Sequence, residues 1–221
     1  MATRKVRTSP RKRPTQDRSK QTVDTIVEAT ARVLVSEGYE RATTNRVAEV
    51  AGVSVGSLYQ YFPSKESLVA AVVDRHSDHM MCVFREAIAG AATLPLREGA
   101  RVVITAMVDG HDVEPELHRV CAEQIPRVGR LGRLLEDLDT HASPSLVAYL
   151  QSRAHELVVK DIELATFVLV HSVETVLHRV LSTRRVVPRD VLIDELTALC
   201  LRYLTATAPD EPARAQRTVR S

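Results

Sequence analysis

The stretch Thr43-Thr44-Asn45-Arg46-Val47-Ala48-Glu49-Val50-Ala51-Gly52-Val53-Ser54-Val55-Gly56-Ser57-Leu58-Tyr59-Gln60-Tyr61-Phe62 holds the residue types and spacing that most clearly imply a chemistry. Two short helices meet there at Gly52, which can take a positive φ without a Cβ clash. Val47, Ala48, Val53 and Leu58 supply a small apolar contact between them. The second helix is left exposing Val55, Gly56, Ser57, Tyr59, Gln60 and Tyr61, a short uncharged surface able to hydrogen-bond. Side chains that small let a helix approach base edges in the major groove of DNA.

Histidines and acids further along invite a second chemistry. His171, Glu174 and His178 share a face of one expected helix, and His76 and His79 share a turn of another. A spacing of three then four is also the periodicity of a polar stripe, so these residues are expected on a solvated or interface face, with no metal and no cofactor. Glu123 and Gln124, with His118 and Arg119, fall on a helix expected to border a central cavity. The chain has no glycine-rich phosphate loop, no Gly-x-Ser-x-Gly elbow, no His-Glu-x-x-His and no recognisable Cys-His pairing, which argues against an enzyme. An unannounced site within the helical region is the remote alternative.

The elements that must position these residues follow from bulk properties and periodicity. Apolar residues make up 44% of the 221 and charged residues 26%, the composition of an ordinary globular protein. Aromatics are only 4% and Trp is absent, so the core must be built from Leu, Val, Ile and Ala. The net charge of +2 hides an asymmetry: residues 1–20 carry +7 and the remainder −5. A polyanion partner is therefore expected at one end. Cys82, Cys121 and Cys200 are scattered and odd in number, which is neither a disulfide framework nor a metal spacing and suggests a reducing compartment. No apolar run is long enough for a signal peptide or a membrane span, and the expected location is the cytoplasm.

Periodicity predicts an all-α chain. Residues 1–15 read as a disordered basic arm. A helix carrying Val23, Ile26, Ala29, Thr30, Val33 and Leu34 is closed by Gly38. Thr43 and Thr44 offer caps for a second helix, Ser54 for a third and Ser64 for a fourth, which runs to about residue 89. Further helices are expected at about 96–111, 115–124, 128–159, 161–184 and 189–206, with Pro126 and Pro144 starting, kinking or splitting segments. The last residues, 208–221, read as a disordered tail.

Residues 18–70 resemble the DNA-binding domain of the TetR/AcrR family. The motifs that carry the likeness are Glu37-Gly38-Tyr39, Ala42-Thr43-Thr44, Val47-Ala48, Ala51-Gly52-Val53-Ser54 and the run from Gly56 to Leu68. The resemblance implies a three-helix DNA-binding domain over 16–78, with its helix-turn-helix at 43–62, and a helical ligand-binding and dimerisation domain over 79–207. It implies that Thr44 bonds a phosphate and that Asn45 reaches a base or a phosphate. Val55, Gly56, Ser57 and Tyr59 would face bases, Gln60 and Tyr61 would hold the backbone, and Lys65 would hold phosphate. It further implies a homodimeric repressor, released from a palindromic DNA operator by a small-molecule effector. A regulator with no ligand is the alternative.

In the C-terminal part, 161–184 is apolar over most of its circumference, so it must be covered on more than one side. Leu192, Leu196, Leu199 and Tyr203 form a stripe on the next helix. The resembled family pairs its last two helices as a four-helix bundle, which places Leu177, Leu181, Leu192, Leu196, Leu199 and Tyr203 at the dimer interface. The remaining apolar excess predicts a cavity lined by Met107, Leu117, Val120, Cys121, Val147, Leu150, Phe167 and Val170. Its ligand should be mainly apolar, anchored by a polar group such as His111, Glu123 or His171.

Overall fold

The computed structural model describes residues 17–123, 143–183 and 186–206, and every regular element among them is a helix. The expected basic arm, the tail and the segment 124–142, with Pro126, lie outside those residues. Helix α1 runs Asp17–Arg41 and is broken near its end by Gly38, whose φ of 79° and ψ of 166° are non-helical. Helix α2 (Thr44–Ala51) is capped by Thr43, whose hydroxyl accepts from the Arg46 amide at 3.2 Å. It closes on Gly52 at φ 66°, the left-handed conformation that the sequence pattern anticipated. Ser54 caps α3 (Val55–Tyr61) by accepting from the Ser57 amide at 3.0 Å. Ser64 and Ser67 form a reciprocal capping box at the start of α4 (Lys65–Ala91).

The C-terminal helices are α5 (Leu96–Val113), α6 (Pro115–Glu123), α7 (Ser143–Gln151), α8 (Ile162–Ser182) and α9 (Arg189–Thr205). The single helix expected over 128–159 is not what forms in its described part. Pro144 sits in the first turn of α7, where its missing amide costs nothing, and α7 ends at Gln151. Arg153 then turns its guanidinium onto the carbonyls of Ala92 and Leu94 in the α4–α5 turn. The chain continues through a short 3-10 turn (Ala154–Glu156) to Val158, whose amide donates to Leu204 O at 2.9 Å. Tertiary hydrogen bonds thus outcompete continued helix.

Two apolar cores result. The N-terminal one gathers Ile26, Val33 and Leu34 of α1, Val47 and Ala48 of α2, Leu58 of α3 and Leu68 and Val72 of α4. The C-terminal one gathers Phe84 and Ile88 of α4 with the inner faces of α5, α7, α8 and α9. Helix α4 therefore belongs to both. Helix α6 buries Leu117 and Val120 in the N-terminal core while it also packs on α5 and α8. The Arg189 guanidinium grips Asp109 through two bonds of 2.6 and 2.7 Å, and Arg101 pairs with Asp194, so α9 is fastened to α5 by charge as well as by packing. No helix among the described residues is long and apolar enough to cross a membrane.

Candidate functional site

On the N-terminal module, Val55, Gly56, Tyr59 and Gln60 are exposed along one side of α3, and Ser57 is half-buried. Gly56 has only Ser54 Oγ within 4 Å of where a Cβ would stand, so the face is open to close approach. Asn45 is exposed and Thr44 half-buried at the start of α2. The Thr44 and Tyr59 hydroxyls lie 3.0 Å apart and lock the two helices of the turn together on this face. Ser57 Oγ is likewise 2.8 Å from Ser54 Oγ.

Two residues expected to hold phosphate have partners within the chain. Tyr61 Oη lies 3.1 Å from Ser19 Oγ of α1. Lys65 Nζ donates to Glu40 O at 3.3 Å and sits 4.1 Å over the Tyr39 ring. An ammonium has three donors, so Lys65 retains capacity for an anion from that position. The positive charge of Arg46 beside α2 is already compensated, because it pairs with both Glu37 and Glu49 at 2.7 and 2.9 Å.

The C-terminal core holds an apolar cavity of about 60 Å³ that is partly open to solvent. Of the residues expected to line it, Met107, Leu150 and Val170 do so. Leu117 and Val120 do not, because they fill the N-terminal core, with Cys121 packed against the same cluster. Phe167 is exposed and has its ring 4.2 Å from that of half-buried His171, while Val147 is half-buried but off the lining. The Glu123 side chain lies outside the described residues. Phe84, Ile104, Leu169 and Val173, which the sequence did not single out as lining, also stand in the wall.

The polar group in this wall is one the sequence did not single out. Tyr149 Oη is buried without a hydrogen-bond partner, facing Gly99, where a Cβ would stand 1.9 Å from the hydroxyl oxygen. Burial raises the Tyr149 phenol above its ordinary pKa, so it is a neutral donor. The Arg153 guanidinium lies 4.0 Å over its ring and holds it in place.

Of the residues expected on polar stripes, His79 is exposed and His171 half-buried, but His76, Glu174 and His178 turn inward. His76 (α4), His111 (α5), His118 (α6) and His178 (α8) converge with Glu174 (α8), and His111, His118 and Glu174 are only 3%, 4% and 7% exposed. His118 Nδ1 is 2.8 Å from His76 Nε2 and His118 Nε2 is 2.9 Å from His178 Nδ1. Burial, reinforced by the neighbouring imidazoles, pushes His118 down to about 2; burial also lowers His76 and His178. For His111 burial is outweighed by the adjacent Glu174 carboxylate, which raises it, and His111 in turn holds Glu174 below the usual carboxylate range against its own desolvation. Spacing along single helices could not reveal this cluster, because it draws on four of them.

The proposed dimer residues divide. Leu177 and Leu196 are core residues of the chain itself, 2% and 4% exposed, and so cannot form a face for a partner. Leu192 is half-buried against the same core, Leu199 and Tyr203 are exposed, and the Leu181 side chain lies outside the described residues.

A helix-turn-helix module joined through α4 and α6 to a helical domain with an apolar cavity is the arrangement of a DNA-binding transcriptional regulator. Residues 26–72 match the bacterial regulatory proteins of the tetR family, and residues 95–204 match the tetracyclin repressor-like C-terminal domain. The chain belongs to the TetR family of transcriptional regulators, which are not enzymes. It is similar to the HTH-type transcriptional activator FasR of Mycolicibacterium smegmatis, 34% identical over 43% of this chain and 42% of that one. The chain thus spans less than half of that relative's length. The fold is shared with the fatty acid degradation regulator FadR of Bacillus halodurans (TM-score 0.66, 16% identity, 81% of this chain and 94% of that one). It is shared equally with FadR of Bacillus subtilis in complex with stearoyl-CoA (TM-score 0.64, 16% identity, 82% and 98%).

Proposed function

We propose that this protein is a cytoplasmic, homodimeric repressor that holds a palindromic operator through α3 and releases it when a mainly apolar small molecule fills the C-terminal cavity. The observation that carries the ligand half is the cavity itself. An apolar-walled cavity with one buried, unpartnered hydroxyl, that of Tyr149, has the usual composition of a small-molecule site, where apolar walls supply affinity and a single polar group sets orientation. The FadR likeness makes fatty acyl compounds the first class to test. On the DNA side, Val55, Gly56, Ser57 and Tyr59 read bases, while Thr44, Asn45, Gln60, Tyr61 and Lys65 hold the backbone. Val55 and Gly56 offer few polar contacts, so thymine methyls and DNA shape carry part of the specificity.

A ligand releases DNA only if it binds the DNA-incompatible state more tightly, so ligand and operator must antagonise reciprocally. The test combines a thermal-shift screen of fatty acyl compounds with operator titration by fluorescence anisotropy for each hit. A hit should raise the melting temperature and weaken operator binding at least several-fold; hits that stabilise without that loss refute the sensing mechanism. Lys65→Ala should weaken binding to all sequences alike and flatten the salt dependence by about one unit of slope, whereas Ser57→Ala should alter the ranking of sites. Because FasR is named an activator, the sign is tested directly: deletion of the gene should raise expression from its operator.

A further inference from the structure

The cluster of His111, His118, His178 and Glu174 lies where α5, α6 and α8 meet, outside both the DNA-reading face and the apolar cavity wall. One ring nitrogen from each of the three histidines falls within 4.8 Å of the others. Four observations bear on what holds it together. His111 Nδ1 is 2.7 Å from Met107 O, a group that only accepts, so Nδ1 carries a proton, and in the neutral ring Nε2 carries a lone pair. That Nε2 is buried without a hydrogen-bond partner, as is His178 Nε2. Their approaches to Glu174, 3.5 Å to Oε2 and 3.4 Å to Oε1, are ion-pair distances lacking hydrogen-bond alignment. A lone pair turned toward a buried carboxylate is repulsive, and a buried carboxylate is costly unless a cation compensates it.

We propose that His111, His118, His178 and the Glu174 carboxylate bind one divalent transition-metal ion, of the imidazole-favouring kind such as Zn2+, Co2+ or Ni2+. Tetrahedral coordination at about 2.0–2.1 Å sets ligand atoms roughly 3.4 Å apart. The His111 Nε2–Glu174 Oε2 separation of 3.5 Å is close to that edge, while His118 Nε2 and His178 Nδ1, now 2.9 Å apart, have to part by about half an ångström to admit an ion. An ion at their centre gives every ring nitrogen a role. His111 Nδ1–H stays on Met107 O, His118 Nδ1–H donates to His76 Nε2, and His178 Nε2–H turns to Glu174 Oε1. Orientation of ligating imidazoles by acceptors on their far nitrogens is the usual outer-shell arrangement of protein metal sites. The absence of thiolate from the set and its wholly nitrogen and carboxylate character favour these borderline ions over Cu(I).

This site is independent of the effector reading, because it is measured on the untagged full-length chain without DNA or acyl compounds. Chelator-dialysed protein is titrated with Co2+ and, in competition with a chromophoric chelator, with Zn2+. One equivalent per chain and the intense visible ligand-field bands of four-coordinate Co2+ are expected. His118→Gln and His178→Gln should weaken Zn2+ binding at least 100-fold, and His76→Gln, which removes only an outer-shell acceptor, by about 10–100-fold. His79→Gln and His171→Gln should leave it unchanged. A weak octahedral Co2+ spectrum, failure to saturate at one equivalent, or affinity retained in a His118→Gln/His178→Gln variant would overturn the proposal and leave a proton on His111 as the compensating cation. Since the wild-type spectrum decides on its own, a variant that fails to fold does not shelter the idea.

Discussion

Tyr149 brings the effector reading down to one oxygen. A hydroxyl buried without a partner costs roughly 1–3 kcal/mol relative to a satisfied one, and here it is retained in a wall that is otherwise apolar. Tyr149→Phe keeps the ring under the Arg153 guanidinium and deletes only that oxygen. The free chain should then gain about 1 kcal/mol of stability by chemical denaturation, while any ligand with a polar head should bind several-fold more weakly. A variant that is less stable, with ligand binding intact, would show that the hydroxyl has a partner within the protein. The sequence pointed instead to His111, Glu123 and His171 as anchors, because charged or titratable residues advertise themselves and a tyrosine among leucines reads as core. By contrast Thr43, Gly52, Ser54 and Ser64 were legible, since caps and a left-handed turn are decided by residues within one turn of each other.

At the scale of elements, α6 shows where periodicity stops being informative. Leu117, Val120 and Cys121 were expected to line the cavity, and a short amphipathic helix does announce an apolar face. It does not announce which of two cores receives that face. In the structure the Leu117–Val120 face enters the N-terminal core beside α1, and His118 points the other way into the α5–α8 contact. Helix α6 therefore links the C-terminal domain to the DNA-binding one with nine residues. Leu117→Ala removes a buried side chain from the N-terminal core, which should cost about 2–5 kcal/mol. Because that core seats α2 and α3, operator affinity should fall although Leu117 is no part of the DNA-reading face. Circular dichroism melting and anisotropy titration read the two effects, and unchanged operator binding at unchanged dimer content would deny α6 this linking role. The break of 128–159 after Gln151 has the same character: Arg153 is drawn off by carbonyls 59 and 61 residues away, which no local pattern encodes.

For the whole molecule, the distribution of exposed apolar side chains argues for a second copy. Among the described residues, Leu164, Phe167, Val168 and Val176 of α8 and Val191, Leu199 and Tyr203 of α9 are all exposed, and they lie on the outer faces of adjacent, packed helices. Exposed apolar residues scattered singly need no explanation, but seven of them on two neighbouring helices suit an interaction surface. A four-helix bundle formed with the same faces of a partner would cover it and set two α3 helices for successive major grooves. Leu177 and Leu196 sit beneath these residues, in the chain's own core, so the sequence stripe mixed the inner and outer faces of the two helices. The two faces predict different failures. Phe167→Asp, at a position 51% exposed in the single chain, should leave the monomer folded and bury a carboxylate only on association, at a cost of several kcal/mol. Sedimentation should then report a folded monomer, with operator binding weakened because one half-site offers half the contacts. Leu177→Asp should instead abolish the helical melting transition itself, since it places the charge inside the fold. If Phe167→Asp remained dimeric with full operator affinity, the dimer would have to be built on another face of the molecule.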